Sequence, residues 1–192
     1  MGLAACGRPG PERCATHMSD EIRMEHWPKE KPALYSLLLQ QLAALMEGET
    51  HPLPNLANAS ALLWQALEDI NWVGFYLNTG NQTLLLGPFQ GKTACIRIPF
   101  SRGVCGAAAR ERCTQLVYDV HQFPGHIACD SASNSEIVVP LMKDGQLLGV
   151  LDIDSPITGR FDREDQAGLE AIAALLSRHC DWGCWQFSSD IQ

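Results

Sequence analysis

No stretch of the chain reaches the roughly 18 consecutive apolar residues that a membrane-spanning helix needs. The N-terminus also lacks a basic region followed by an apolar one, so no export signal is read and a cytoplasmic protein is expected. Leu3-Ala4-Ala5-Cys6 resembles a lipoprotein cleavage site only superficially, because no apolar segment precedes it, and Gly2 is a poor acylation site because Cys6 stands where Ser or Thr is required. Basic residues are few, 14 Lys and Arg against 22 Asp and Glu for a net charge of -8, and none form a phosphate-binding stripe. Nucleic acid is thereby excluded as a partner and polyanionic ligands are disfavoured, whereas a ligand carrying an ammonium group is tolerated. There is no C-x-x-C pair. His179-Cys180 with Cys184 makes half of a zinc site and the other half is missing, so no metal is expected.

What remains is an ordinary globular composition, 46% hydrophobic and 19% charged over 192 residues, enough for one well-buried core. The eight cysteines, at 6, 14, 95, 105, 113, 129, 180 and 184, would suggest a disulfide scaffold in a short secreted chain. In a chain with a core and no export signal they read instead as reactive or ordinary thiols.

Residues 1–32 show no periodicity and read as a flexible N-terminal arm, with one domain over 33–180 and a tail over 181–192. From Pro32, Leu34, Leu37, Leu38, Leu42 and Leu45 recur at helical spacing, and a second helix carries Leu56, Ala59, Leu62, Leu63 and Ala66 on one stripe with Asn55 as its expected cap. The period then changes to that of strands at Trp72 to Leu77 and at Thr83 to Phe89, followed by Ile96 to Phe100, a short helix over Val104 to Glu111 and a strand at Leu116 to Tyr118. A long polar loop, 119–135, precedes a hairpin of Ile137 to Met142 and Leu147 to Ile153, apolar on both faces and therefore central. A final helix runs to about Cys180 with Asp162 as cap. This order predicts an α+β domain, a central antiparallel sheet with helices packed on one side and ligand-binding loops on the other.

Chemistry-bearing residues fall in the second half. Cys129 lies in the polar loop three residues after His126, which suits a reactive thiol, the alternative being a buried structural cysteine. Cys105, in Gly-Val-Cys-Gly at a helix start, is placed where unpaired N–H groups favour thiolate. Cys95 precedes a strand. Asp152 and Asp154, two apart on a strand, share a face and have no packing role in an apolar run, unless the strand frays there into solvent.

Six segments bear a resemblance to a known family: Asp69-Ile70-Asn71-Trp72-Val73-Gly74-Phe75-Tyr76, Gly87-Pro88-Phe89-Gln90-Gly91-Lys92-Thr93-Ala94-Cys95, Gly103-Val104-Cys105-Gly106, Gly125-His126-Ile127-Ala128-Cys129-Asp130, Ser133-Asn134-Ser135-Glu136-Ile137 and Gly149-Val150-Leu151-Asp152-Ile153-Asp154-Ser155. Together they resemble the free methionine-(R)-sulfoxide reductases, single-domain members of the GAF fold. The resemblance implies that Cys129 attacks the sulfoxide sulfur and becomes a sulfenic acid, and that Cys95 or Cys105 resolves it as a disulfide. Thioredoxin, linked to NADPH, then acts as external reductant, with no bound cofactor. It adds Glu136 to Asp152 and Asp154 as a substrate-binding cluster walled by Trp72 and Tyr76, and it implies a homodimer. Rival readings are a non-catalytic GAF sensor of small ligands and a thiol redox sensor acting through Cys105 and Cys129. Three carboxylates close together require either a proton or a cation among them.

The shared cluster makes a demand on strand register. A two-residue turn at Asp144-Gly145 without further irregularity pairs Glu136 with Ile153 and puts it on the wrong face. A three-residue loop over Lys143-Asp144-Gly145, or a bulge elsewhere of the same effect, is therefore expected.

Overall fold

The computed structural model describes residues 27–124 and 132–185. Helix α1 (Lys31–Leu45) starts with Pro32 in its first turn and buries Leu34, Tyr35, Leu38 and Leu42. Trp27, expected within the flexible arm, packs against the same core. Helix α2 (Pro52–Ala66) is capped not by Asn55 but by His51, whose Nδ1 accepts the Leu53 N–H at 3.1 Å. Pro52 starts the helix four residues earlier than an Asn55 cap implies, which places Asn55 inside it, buried and donating to the Glu49 carbonyl at 2.9 Å.

Among the described residues the strands are β1 (Trp72–Asn78), β2 (Thr83–Gly91), β3 (Arg97–Pro99), β4 (Gln115–Val117), β5 (Ser135–Lys143) and β6 (Gln146–Ser155). They form one antiparallel sheet in the order β3-β2-β1-β6-β5-β4. Both strands of the late hairpin are interior, as their two-sided apolar pattern requires. The last helix, α4 (Arg163–His179), opens with a capping box in which Asp162 accepts from the N–H of Glu164 and Asp165, and Asp165 accepts from the Asp162 N–H. Tyr35 Oη donates to Asp165 Oδ1 at 2.9 Å and ties α1 to α4.

Helices α1, α2 and α4 cover one face of the sheet, packing on Val73, Phe75, Leu77, Ile137, Val139, Leu151 and Ile153. The remaining helix, α3 (Gly103–Glu111), lies on the other face with the long loops, against Trp72, Tyr76, Val138 and Val150. The expectation of helices on one side thus holds for three of the four. From Gly149 onward, alternation assigns odd positions of β6, Leu151 and Ile153, to the helix-covered core and even positions, Asp152 and Asp154 among them, to the α3 side.

That assignment depends on an irregularity near the hairpin tip. The turn has two residues, Asp144 (φ 51°) and Gly145 (φ 75°), both in the left-handed region that a tight hairpin turn requires, so the three-residue loop is not formed. Lys143 pairs with Gln146 and Met142 with Leu147, but Leu141 pairs with Gly149, leaving Leu148 as an extra residue. The bulge has the anticipated effect on parity and a different partner: Glu136 stands opposite Asp154, and Asp152 opposite Val138. Glycine is required beside the bulge because a Cβ at Gly149 would overlap the Tyr76 carbonyl oxygen of β1. Gly149→Ala is expected to cost about 3 kcal/mol or more through this overlap. Gly80→Ala, at φ 85° with nothing within 4 Å, should cost only about 1–2 kcal/mol from backbone strain. Urea unfolding of the two variants measures the difference, and equal costs would show that the close approach does not matter.

Candidate active site

On the α3 side a pocket is lined by Trp72 and Tyr76 from β1, Cys105 and Val104 from α3, Glu136 from β5, and Asp152 and Asp154 from β6. Gly74 lies between the two aromatic residues on the same face of β1. Its missing side chain leaves room for Trp72, which stacks on Phe89 at 5.3 Å between ring centroids and on Tyr76 at 5.8 Å. Trp72 Nε1 donates to the Lys92 carbonyl at 3.1 Å, so the indole is fixed as a wall with its polar edge satisfied.

Glu136 and Asp152 are each only 6% exposed, whereas Asp154 is half-buried. Burial above all, then the charges of Asp152 and Asp154, hold the Glu136 carboxyl well above the usual carboxylate range. Burial also pushes Asp152 up to about 6, against hydrogen bonds from Cys105 and Glu136 that favour its charged form. The consistent state is a neutral Glu136 sharing its proton with an Asp152 that is charged at neutral pH. Asp152 Oδ1 is buried and has no other donor among the described residues.

Cys105 is not the thiolate that its helix position suggests. Its Sγ donates to Asp152 Oδ2 at 3.1 Å, and burial followed by the charges of Asp152 and Glu136 pushes the thiol well above its ordinary value. A helix terminus contributes about 0.3–1 kcal/mol in most settings, too little to offset removal from water beside an acid pair.

Of the residues singled out in the sequence, Trp72, Tyr76, Cys105, Glu136, Asp152 and Asp154 therefore meet in one pocket. Cys95 is partly buried and packs against the apolar cluster behind it, next to the lining residue Ala94. Cys129, with His126 and Asp130, lies outside the described residues. Lys92, Thr93 and Ser133 line the pocket and were not singled out, although all three sit within matched segments. Ser133 Oγ accepts from Asn71 Nδ2 at 3.1 Å, which ties the end of the long loop to the start of β1. His179 Nε2 lies 2.9 Å from the carbonyl oxygens of Met46 and Glu49, and the side chain of Cys184 lies outside the described residues.

The acid pair has a cost that pH reveals. Asp152 titrates near 3.8 when unfolded and about 6 when folded, so between these values the folded state binds more protons and stability falls as pH rises. The favourable contribution is complete below the unfolded value and lost above the folded one. Asp152→Asn removes it: in urea unfolding without ligand the variant should match the parent near pH 4 and exceed it by about 1–3 kcal/mol above pH 7. A variant with the parent's pH slope would contradict the assignment.

The GAF domain family model matches residues 58–179. The free methionine-R-sulfoxide reductase of Escherichia coli (strain K12) is 56% identical over 77% of this chain and 89% of its own length. Among solved structures, fRMsr of Staphylococcus aureus in complex with substrate is 55% identical with a TM-score of 0.72, covering 77% of this chain and 95% of that one. Free methionine-R-sulfoxide reductase from Neisseria meningitidis, also in complex with its substrate, is 47% identical with a TM-score of 0.76 over 80% and 93%. With its fold and nearly the full length of these relatives in common, the chain belongs to the free methionine-R-sulfoxide reductase family of GAF-domain proteins.

Proposed function

We propose that the protein reduces free L-methionine (R)-sulfoxide to L-methionine. The observation that carries this reading is the pairing of two buried carboxyl groups, one held neutral, in a pocket lined by Trp72. Sulfoxide reduction needs a proton delivered to oxygen, because the oxygen otherwise leaves poorly, and Glu136 held neutral by burial is a donor at neutral pH. Trp72, which lines the pocket, can pack against the thioether and methyl, and the remaining carboxylate charge attracts the ammonium of a free amino acid. The names and bound substrates of the relatives support the same assignment, and the preferred epimer rests on them alone.

In this proposal the thiolate of Cys129 attacks sulfur. The sulfoxide oxygen takes a proton and passes as hydroxyl from the substrate sulfur to the Cys129 sulfur, an S–O bond forming there as the substrate S–O bond and the transient bond between the two sulfurs break; methionine leaves with the electron pair, and Cys129, oxidised by two electrons, is a sulfenic acid. A second thiol displaces that oxygen as water and forms a disulfide, which a dithiol donor of the thioredoxin type reduces in the cytosol. Cys95 is better suited than Cys105 to be the second thiol, because Cys105 is buried and its ionisation is opposed by the acids it touches. Cys129→Ser should abolish methionine formation in a single turnover, while Cys95→Ser keeps the single turnover and loses sustained thioredoxin-driven turnover. Quenched-flow product analysis separates the two, and full single-turnover activity in Cys129→Ser would remove it as nucleophile.

Selectivity for the free amino acid follows from the charge of the pocket. An N-acetylated, C-amidated methionine sulfoxide lacks the ammonium, and losing one charge-assisted contact should cost about 2–5 kcal/mol, or about 30- to several thousand-fold in kcat/KM. NADPH consumption coupled through thioredoxin and its reductase, with each free epimer and the blocked compound, tests this. Equal efficiency on the blocked compound contradicts the ammonium pocket, and ligand binding without NADPH consumption points to a sensor.

A further inference from the structure

We propose that Cys105, Glu136 and Asp152 together form a binding site for one borderline-soft divalent cation of the zinc class. The donors come from α3, β5 and β6, all three residues are buried, and one ligand atom from each lies within 4.8 Å of the other two. Zinc bonds of about 2.3 Å to sulfur and 2.0–2.2 Å to oxygen imply ligand separations of about 3.4–3.6 Å in a tetrahedron. Cys105 Sγ and Asp152 Oδ2 stand 3.1 Å apart, so the pair has only to open by a few tenths of an ångström.

A second observation points to a ligand independently of the clustering. Asp152 is 6% exposed, lines the pocket, and its Oδ1 has no donor among the described residues except a proton shared from Glu136. A divalent ion replaces that shared proton and the thiol proton, both of which leave to solvent. It thereby brings two positive charges to three anionic ligands in a medium where unpaired charge is costly. The sulfur ligand discriminates against magnesium and calcium, which favour oxygen donors, and towards zinc, cobalt and cadmium. Three protein ligands leave a fourth position facing the pocket, the arrangement of an exchangeable rather than a structural ion. The inference rests on three side chains and does not depend on the reductase reading.

Cobalt(II) reports the site directly, since a thiolate ligand in a tetrahedral field gives strong visible bands and a sulfur-to-cobalt charge-transfer band. Titration of the reduced full-length protein should show these bands saturating at one equivalent, with zinc displacing the cobalt. Cys105→Ser, which keeps the other cysteines, should lose the charge-transfer band. Glu136→Gln, which keeps every cysteine, should weaken cobalt affinity by at least about tenfold. Thermal melts establish that both variants are folded. An undiminished band in Cys105→Ser, or unchanged affinity in Glu136→Gln, overturns the proposal.

Discussion

Two carboxyl groups placed side by side away from water cannot both remain charged, and this constraint organises the pocket side of the molecule. Glu136 and Asp152 face the same space from neighbouring strands, and their mutual repulsion adds to the burial that already disfavours ionisation. One proton between them relieves both. Cys105 completes the arrangement by donating its thiol hydrogen to Asp152, so the sulfur stabilises the charged member of the pair at the expense of its own ionisation.

Such an arrangement persists only because the rest of the domain holds it. The larger apolar cluster lies on the opposite face, where three helices bury Leu38, Leu42, Leu56, Leu63, Leu169 and Leu176, and it contains none of the acids of the pocket. Among the described residues, the buried acid on that face is Asp165, which accepts from Tyr35 and pairs with Lys31 and Arg160. There every carboxylate oxygen meets a donor or a cation. The two faces thus treat buried acids in opposite ways, Asp165 fully satisfied among the helices and Asp152 left short of donors in the pocket.

Much of this was legible in the sequence because it is written in short-range periodicity. The change from helical to strand period at Trp72, the two-sided apolar runs of β5 and β6 and the Asp162 cap all follow from local chemistry. The same-face placement of Asp152 and Asp154 follows from the two-residue repeat alone. What could not be read was geometry set by packing. Asn55 has the chemistry of a cap, but the helix begins earlier at Pro52 and burial claims the side chain. Cys105 sits at a helix start as expected, yet its ionisation is governed by acids about 30 and 50 residues away in the chain, which only the fold brings near. Lys92 and Ser133 reach the pocket through loop paths that no period describes. The need for a bulge could be deduced from face parity, whereas its location at Leu148 depends on how closely β1 passes Gly149.

That bulge acts as a phase slip within a single strand. Leu147 and Val150 are three positions apart and share a face, which an unbroken strand forbids. The hairpin tip and the pocket therefore keep separate alternations, joined at one residue. An insertion of two residues between the bulge and Asp152 would preserve the pocket face, while an insertion of one, unless a second slip absorbed it, would exchange the acids with Leu151 and Ile153 and drive charge into the helix-packed core. Length variation in this hairpin is for that reason constrained modulo two, and the constraint acts on residues that never touch a ligand.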